Sequence, residues 1–125
     1  MNLAKAKGAV TASCEGTVVI PPVKVADSFW LRAVGLMGKS AVPEAYGAGL
    51  FFPGCRALHT CFMRFPLAVL FLDADGQVLE VRRGVPAWSV VKGPKGTVHC
   101  VEVQGELSGL SAEKPLIWRT IEEIS

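Results

Sequence analysis

The 125-residue sequence has no long apolar run, almost no excess charge of either sign, and few of the residues that usually carry catalysis. Its longest clean apolar stretch, Phe65 to Leu72, is interrupted by Pro66, whereas a membrane-spanning helix needs about 20 apolar residues. Thirteen Lys and Arg oppose eleven Asp and Glu, and the pI is near 8.4. A dedicated nucleic-acid domain usually has a basic stripe and a pI above about 9. The basic residues instead come as small pairs, Lys5 with Lys7, Arg82 with Arg83 and Lys92 with Lys95, which read as solvated turns and strand edges. The opening Met-Asn-Leu-Ala-Lys-Ala-Lys-Gly lacks the apolar core of about 7–15 residues that a secretory signal carries. Four cysteines without a Cys-x-x-Cys spacing are too few for a disulfide scaffold and would allow three pairings. A cytoplasmic protein with reduced thiols is therefore expected. There is no Walker loop, dinucleotide fingerprint, serine elbow or His-Glu-x-x-His.

What is present is apolar content and punctuation. Half the residues are hydrophobic and mean hydropathy is +0.38, which excludes a disordered chain. The length suits one domain over residues 1–125, and such a domain buries about 65–70% of its unfolded surface. Thirteen glycines and eight prolines favour short elements and many turns.

Residues 1–15 show little periodicity and are expected as a loose end. Gly16 to Val25 is β-branched but split by Pro21-Pro22, which predicts an edge strand with a break or bulge because proline donates no ladder hydrogen bond. Asp27 or Ser28 can cap a short helix running to Gly38, apolar nearly all round and so buried. Short strands are predicted at 49–52, 57–65, 67–74, 77–83, 97–104 and 116–121. Asp75-Gly76 between two apolar runs predicts a hairpin with a two-residue loop. In that register Ala74 faces Gln77, Leu72 faces Leu79 and Leu70 faces Val81, so Ala68, Leu70, Leu72, Leu79 and Val81 form the core face. Strands outnumber helices about six to one, so the fold class is mainly β: a small antiparallel barrel or two-sheet sandwich with one short N-terminal helix.

Several blocks in this order carry a resemblance: Gly35-Leu36-Met37-Gly38-Lys39, Gly49-Leu50-Phe51-Phe52, the run from Leu58-His59-Thr60-Cys61-Phe62-Met63-Arg64-Phe65-Pro66 to Leu79, and Val101-Glu102-Val103. Over about residues 17–105 the chain resembles the small bacterial and archaeal proteins grouped as domain of unknown function family 192. The resemblance implies a mainly β single domain with a short helix near its start, and no established activity. Ala68 stands where such proteins usually have an acidic residue, which argues against an acid/base role at that position.

Chemistry-bearing residues are sparse. Cys55, His59, Cys61 and Cys100, with His99, are the sulfur and imidazole groups a zinc or copper site would use. Adjacent His99 and Cys100 must point to opposite faces of a strand, so no metal or other cofactor is expected, and buried small thiols are the plainer reading. A Cys61–His99 or Cys100–His59 pair is the enzyme version, but apolar surroundings raise a thiol pKa. Arg64, between Met63 and Phe65, must reach solvent or a partner carboxylate such as Asp73 or Glu102. Glu102 itself is expected as a paired or rim carboxylate. Trp88 lies on a Pro/Gly-rich loop. The leading expectation is a non-catalytic binding module for a small polar or anionic ligand, with His59, Arg64, Trp88, His99 and Glu102 lining one cleft. The alternative is a protein-interaction or accessory domain using apolar surface around Trp30, Trp88 or Trp118. A thiol- or metal-dependent enzyme ranks below both. The expected partners are a small ligand or a protein, not nucleic acid or a membrane.

Overall fold

β-branched and aromatic runs separated by glycine, proline and aspartate form short strands. The computed structural model describes residues 2–26, 46–59, 67–86, 89–104 and 115–121. Their strands are β1 (Ala9–Cys14), β2 (Thr17–Val25), β3 (Gly49–Phe52), β4 (Ala57–His59), β5 (Leu67–Leu72), β6 (Val78–Val85), β7 (Val90–Lys92), β8 (His99–Val103) and β9 (Ile117–Ile121). Seven of them make one sheet in the order β6-β5-β8-β3-β2-β1-β9, and β4 and β7 make a separate ribbon. The protein is mainly β, as expected. The large sheet is mixed rather than wholly antiparallel, because β2 and β3 pair in parallel through Lys24–Leu50 and Val25–Phe51.

The central strands β3, β5 and β8 are buried on both sides because both faces of the sheet are covered. Opposed residues in the ladders share a face: Phe51, Val101 and Leu70 on one side, and Leu50, Glu102 and Val69 on the other. The first face joins Val10, Ile20, Val23, Phe51, Leu70, Val101 and Trp118 in the larger core. The second joins Leu50, Phe52, Val69, Phe71 and Cys100, with Val91 of the β4–β7 ribbon packed among them. Each fully buried Phe or Leu contributes about 1.5–3 kcal/mol relative to exposure.

The β5–β6 hairpin forms, with a different turn from the expected one. The Asp73 amide donates to Gln77 O (3.0 Å) and the Gly76 amide to Asp73 O (3.0 Å), so the loop is the three residues Ala74, Asp75 and Gly76. Asp73 Oδ1 accepts the amides of Asp75 and Gln77, both at 2.9 Å, which favours this longer loop. Leu72 therefore faces Val78 instead of Leu79, and an irregularity between Phe71 and Leu72 restores the Leu70–Val81 pair. Val78 is buried, while Leu79 is 37% exposed.

Gly76 also lies where the β5–β6 hairpin meets β9. Its φ of +82° suits glycine, and a β-carbon there would overlap the Trp118 indole and the Leu3 side chain. Trp118 Nε1 donates to Gly76 O at 2.7 Å. The Gln77 amide side chain accepts from Leu116 N (2.7 Å) and donates to Leu116 O (3.0 Å), as a neighbouring strand would. The hairpin tip is thus fastened to the start of β9. Trp118, expected to offer exposed apolar surface, is instead buried against Phe51 with ring centroids 5.6 Å apart.

Two other expectations change. Residues 2–14 are not loose: Asn2 caps a 3-10 turn at Leu3–Lys5, Leu3 is buried, and β1 lies between β2 and β9. β2 is not an edge strand, since it has neighbours on both sides. The bulge does occur, as a shift between the Val10–Val23 and Ala12–Ile20 pairs. Pairing with β3 involves only Lys24 and Val25, so Pro21 and Pro22 fall beside a short ladder that needs little from their missing donors. The helix expected between Asp27 and Gly38, and the extension of β4 beyond His59, lie outside the described residues.

Candidate functional site

The β4–β7 ribbon brings together basic residues far apart in sequence. Ala57 pairs with Lys92, Leu58 with Val91 and His59 with Val90, which sets Arg56 beside the loop that follows Lys92. The Gly93 amide donates to Arg56 O at 2.9 Å. Pro94 O accepts both the Thr97 amide (3.2 Å) and the Thr97 hydroxyl (2.7 Å), closing a turn over Lys95 and Gly96. Gly96 has a φ of +97°, the left-handed conformation that glycine adopts without a steric cost. The result is a cleft of about 380 Å³ lined by Arg56, Lys92, Gly93, Pro94, Lys95, Gly96, Thr97 and Val98.

Among the described residues this lining holds three cations and no carboxylate. Arg82, just behind it, is already neutralised by Glu80, lies over the Phe71 ring at 5.2 Å, and donates through Nη2 to Lys92 O at 2.9 Å. Arg82 therefore braces the end of β7. No carboxylate among the described residues pairs with Arg56, Lys92 or Lys95. Such a cleft can bind an anion, because its positive charge has no counterion among the described residues.

The residues expected to share one cleft are placed differently. His99 and Glu102 are both buried in β8, on opposite faces of the sheet, so they do not face a common cavity. The His99 ring packs on Phe51 at a centroid distance of 5.5 Å, and its Nδ1 accepts the Gly54 amide at 3.0 Å. Burial lowers its pKa against the opposing pull of Asp73, so the imidazole is neutral and acts in packing. His59 belongs to β4; its side chain, Arg64 and Trp88 lie outside the described residues.

Glu102 is not the paired or rim carboxylate expected. It is 3% exposed, and Oε2 has no hydrogen-bond partner among the described residues. Burial first, and then the charge of Cys55, push its carboxyl up to about 8. Cys100, on the same face, donates to Cys55 O at 2.9 Å, and Cys55 donates to Ala57 O at 3.0 Å. Hydrogen bonding with Cys55, burial, and the charges of Cys55 and Glu102 all raise the Cys100 pKa. An activated nucleophile needs the opposite shift. Cys14, Cys55 and Cys100 are thiols rather than disulfides. Of the metal candidates, Cys61 and the His59 side chain lie outside the described residues, and among those described no group of three or more His, Cys, Asp or Glu could hold a metal ion.

Sequence reasoning read Lys92 and Lys95 as a solvated turn and did not connect them with Arg56. The available signal was the local run Lys92-Gly93-Pro94-Lys95-Gly96-Thr97, a basic loop with two glycines. The pairing that delivers Arg56 is long-range and leaves no local trace.

The family model DUF192, described as Uncharacterized ACR, matches residues 10–112. No curated protein matches the chain. A protein of unknown function from Novosphingobium aromaticivorans DSM 12444 has a similar structure, with a TM-score of 0.66 and 17% identity over 89% of this chain and 83% of that one. A candidate transcription regulator from Sinorhizobium meliloti 1021 has a TM-score of 0.69 and 19% identity over 90% of this chain and 94% of that one. At these identities the likeness concerns the fold. No helix among the described residues is long and apolar enough to cross a membrane.

Proposed function

We propose, for a chain that belongs to the uncharacterised DUF192 family, that it is a non-catalytic binding module for a small anionic ligand. The supporting observation is the cleft lined by Arg56, Lys92 and Lys95, with no carboxylate in its lining among the described residues. Its volume of about 380 Å³ falls within the range of small-molecule sites, about 300–1,000 Å³. A unit negative charge about 4 Å from each cation gains about 1 kcal/mol per pair in water-like surroundings. Because the three side chains are exposed, screening keeps the gain near that value, so the three pairs together supply about 3 kcal/mol and the affinity expected is about 5–10 mM. The raised Cys100 pKa and the packing role of His99 favour binding over thiol chemistry. Cysteines that form no disulfide accord with a reducing cytoplasm.

A thermal-shift titration with phosphate, sulfate and acetate tests this reading. Excluded salts stabilise folded proteins generally, so the informative quantity is the difference between the wild type and the double variant Arg56→Gln/Lys95→Gln. A saturable rise of a few degrees, lost in the variant, is expected. Identical responses in both proteins would overturn the reading.

A further inference from the structure

The surplus of positive charge in the cleft has a preferred counterpart. We infer that the cleft takes a phosphomonoester, a small organic molecule ending in a dianionic phosphate, and this rests on the anion-binding reading above. Three basic residues line it, carrying more charge than a single carboxylate can balance, whereas a phosphomonoester carries about 1.5–2 negative charges at neutral pH. Arg56 offers a planar fork of donors that matches two phosphate oxygens, and Lys92 and Lys95 act as point charges.

The turn adds further donors. Thr97 N and Oγ1 are both committed to Pro94 O, while the amides of Lys95 and Gly96 have no acceptor among the described residues. A phosphate above Lys95 and Gly96 can receive those two N–H groups without disturbing the turn. The left-handed Gly96 adds no side chain of its own there, and the nearest neighbour to its absent β-carbon is Leu79 Cδ1 at 3.7 Å. Inorganic phosphate would not fill a volume of about 380 Å³, and Pro94 and Val98 line the remainder. That remainder suits a short organic moiety of low charge.

The same chemistry argues against a nucleic-acid backbone. Each internal phosphate of DNA or RNA is a diester with one charge, and such ligands are met by stripes of basic residues. Here three basic residues line one compact cleft, and the chain's net charge is only +2.

Isothermal titration at low salt with glycerol 3-phosphate, dimethyl phosphate, acetate and a short DNA duplex tests the assignment. Glycerol 3-phosphate should bind at least tenfold more tightly than dimethyl phosphate or acetate, and should weaken as the pH falls below about 6, where its second ionisation is lost. Lys95→Gln and Arg56→Gln should each weaken it about tenfold, as expected for losing one charge-assisted hydrogen bond. Equal binding of glycerol 3-phosphate, dimethyl phosphate and acetate would refute the phosphomonoester assignment and leave the anion-binding module standing. Tighter binding of the duplex, lost in Lys95→Gln, would replace it with a phosphodiester ligand. No binding of any probe would remove both readings.

Discussion

Replacing Glu102 with glutamine should abolish a fall in stability that the wild type shows between about pH 5 and pH 8. The carboxyl is buried beside Leu50 and Val69, with Oε2 unpartnered among the described residues. Folding raises its pKa from 4.5 to about 8. Below 4.5 it is protonated in both the folded and the unfolded chain and imposes no penalty. Above 4.5 the unfolded chain loses the proton and the folded chain keeps it, so stability falls by about 1.4 kcal/mol per pH unit until the folded group also ionises near pH 8. The full loss is about 4–5 kcal/mol, a large part of the 5–15 kcal/mol typical of a domain. Urea unfolding at intervals from about pH 4.5 to pH 9 reads this as a midpoint that drops by about 2–4 M. His99 acts with the opposite sign. Its lowered pKa stabilises the fold above the unfolded value of 6.5, and that contribution is lost as the pH falls. Subtracting the Glu102→Gln curve from the wild-type curve removes the His99 contribution and isolates Glu102. The glutamine amide leaves donors unsatisfied at a cost of about 1–3 kcal/mol, but that cost does not vary with pH. A wild-type-minus-variant difference that stays flat from about pH 5 to pH 8.5 would refute the claim that Glu102 is held protonated.

Two further outcomes are expected. Gly76→Ala should destabilise the fold by about 2–4 kcal/mol in urea unfolding, since alanine disfavours positive φ and its methyl meets Trp118 and Leu3; Gly54→Ala, also at positive φ but with open space at its β-carbon, should cost about 1–2 kcal/mol. Iodoacetamide at neutral pH, followed by peptide mapping, should label half-buried Cys55 before Cys14 and Cys100, which stay protected until the protein unfolds. Rapid labelling of native Cys100 would contradict its burial.

Local signals in the sequence were sound where geometry is local. The Asp75-Gly76 hairpin, the bulge at Pro21-Pro22 and the opposed directions of His99 and Cys100 all follow from neighbouring residues. The exact hairpin register was not legible, because the Asp73 carboxylate stabilises a three-residue loop and Leu79 then bulges outward. The order of β1 was hidden for another reason. Val10 and Ala12 lie in a stretch of weak periodicity and are held by pairing to β9, more than a hundred residues away. Alternation along β8 already implied that His99 and Glu102 cannot line one cleft. The basic cleft depends on Arg56 meeting the 92–98 loop, and no local pattern encodes that meeting.

The central claim is that the cleft between Arg56 and the 92–98 loop binds an anion. Titrating isotopically labelled protein with inorganic phosphate, and following backbone amide resonances, tests it most directly. The account predicts saturable shifts concentrated at Lys95, Gly96 and Thr97 and at Arg56, absent with chloride at equal ionic strength. Unmoved resonances at those positions, or shifts centred on another part of the fold, would contradict it.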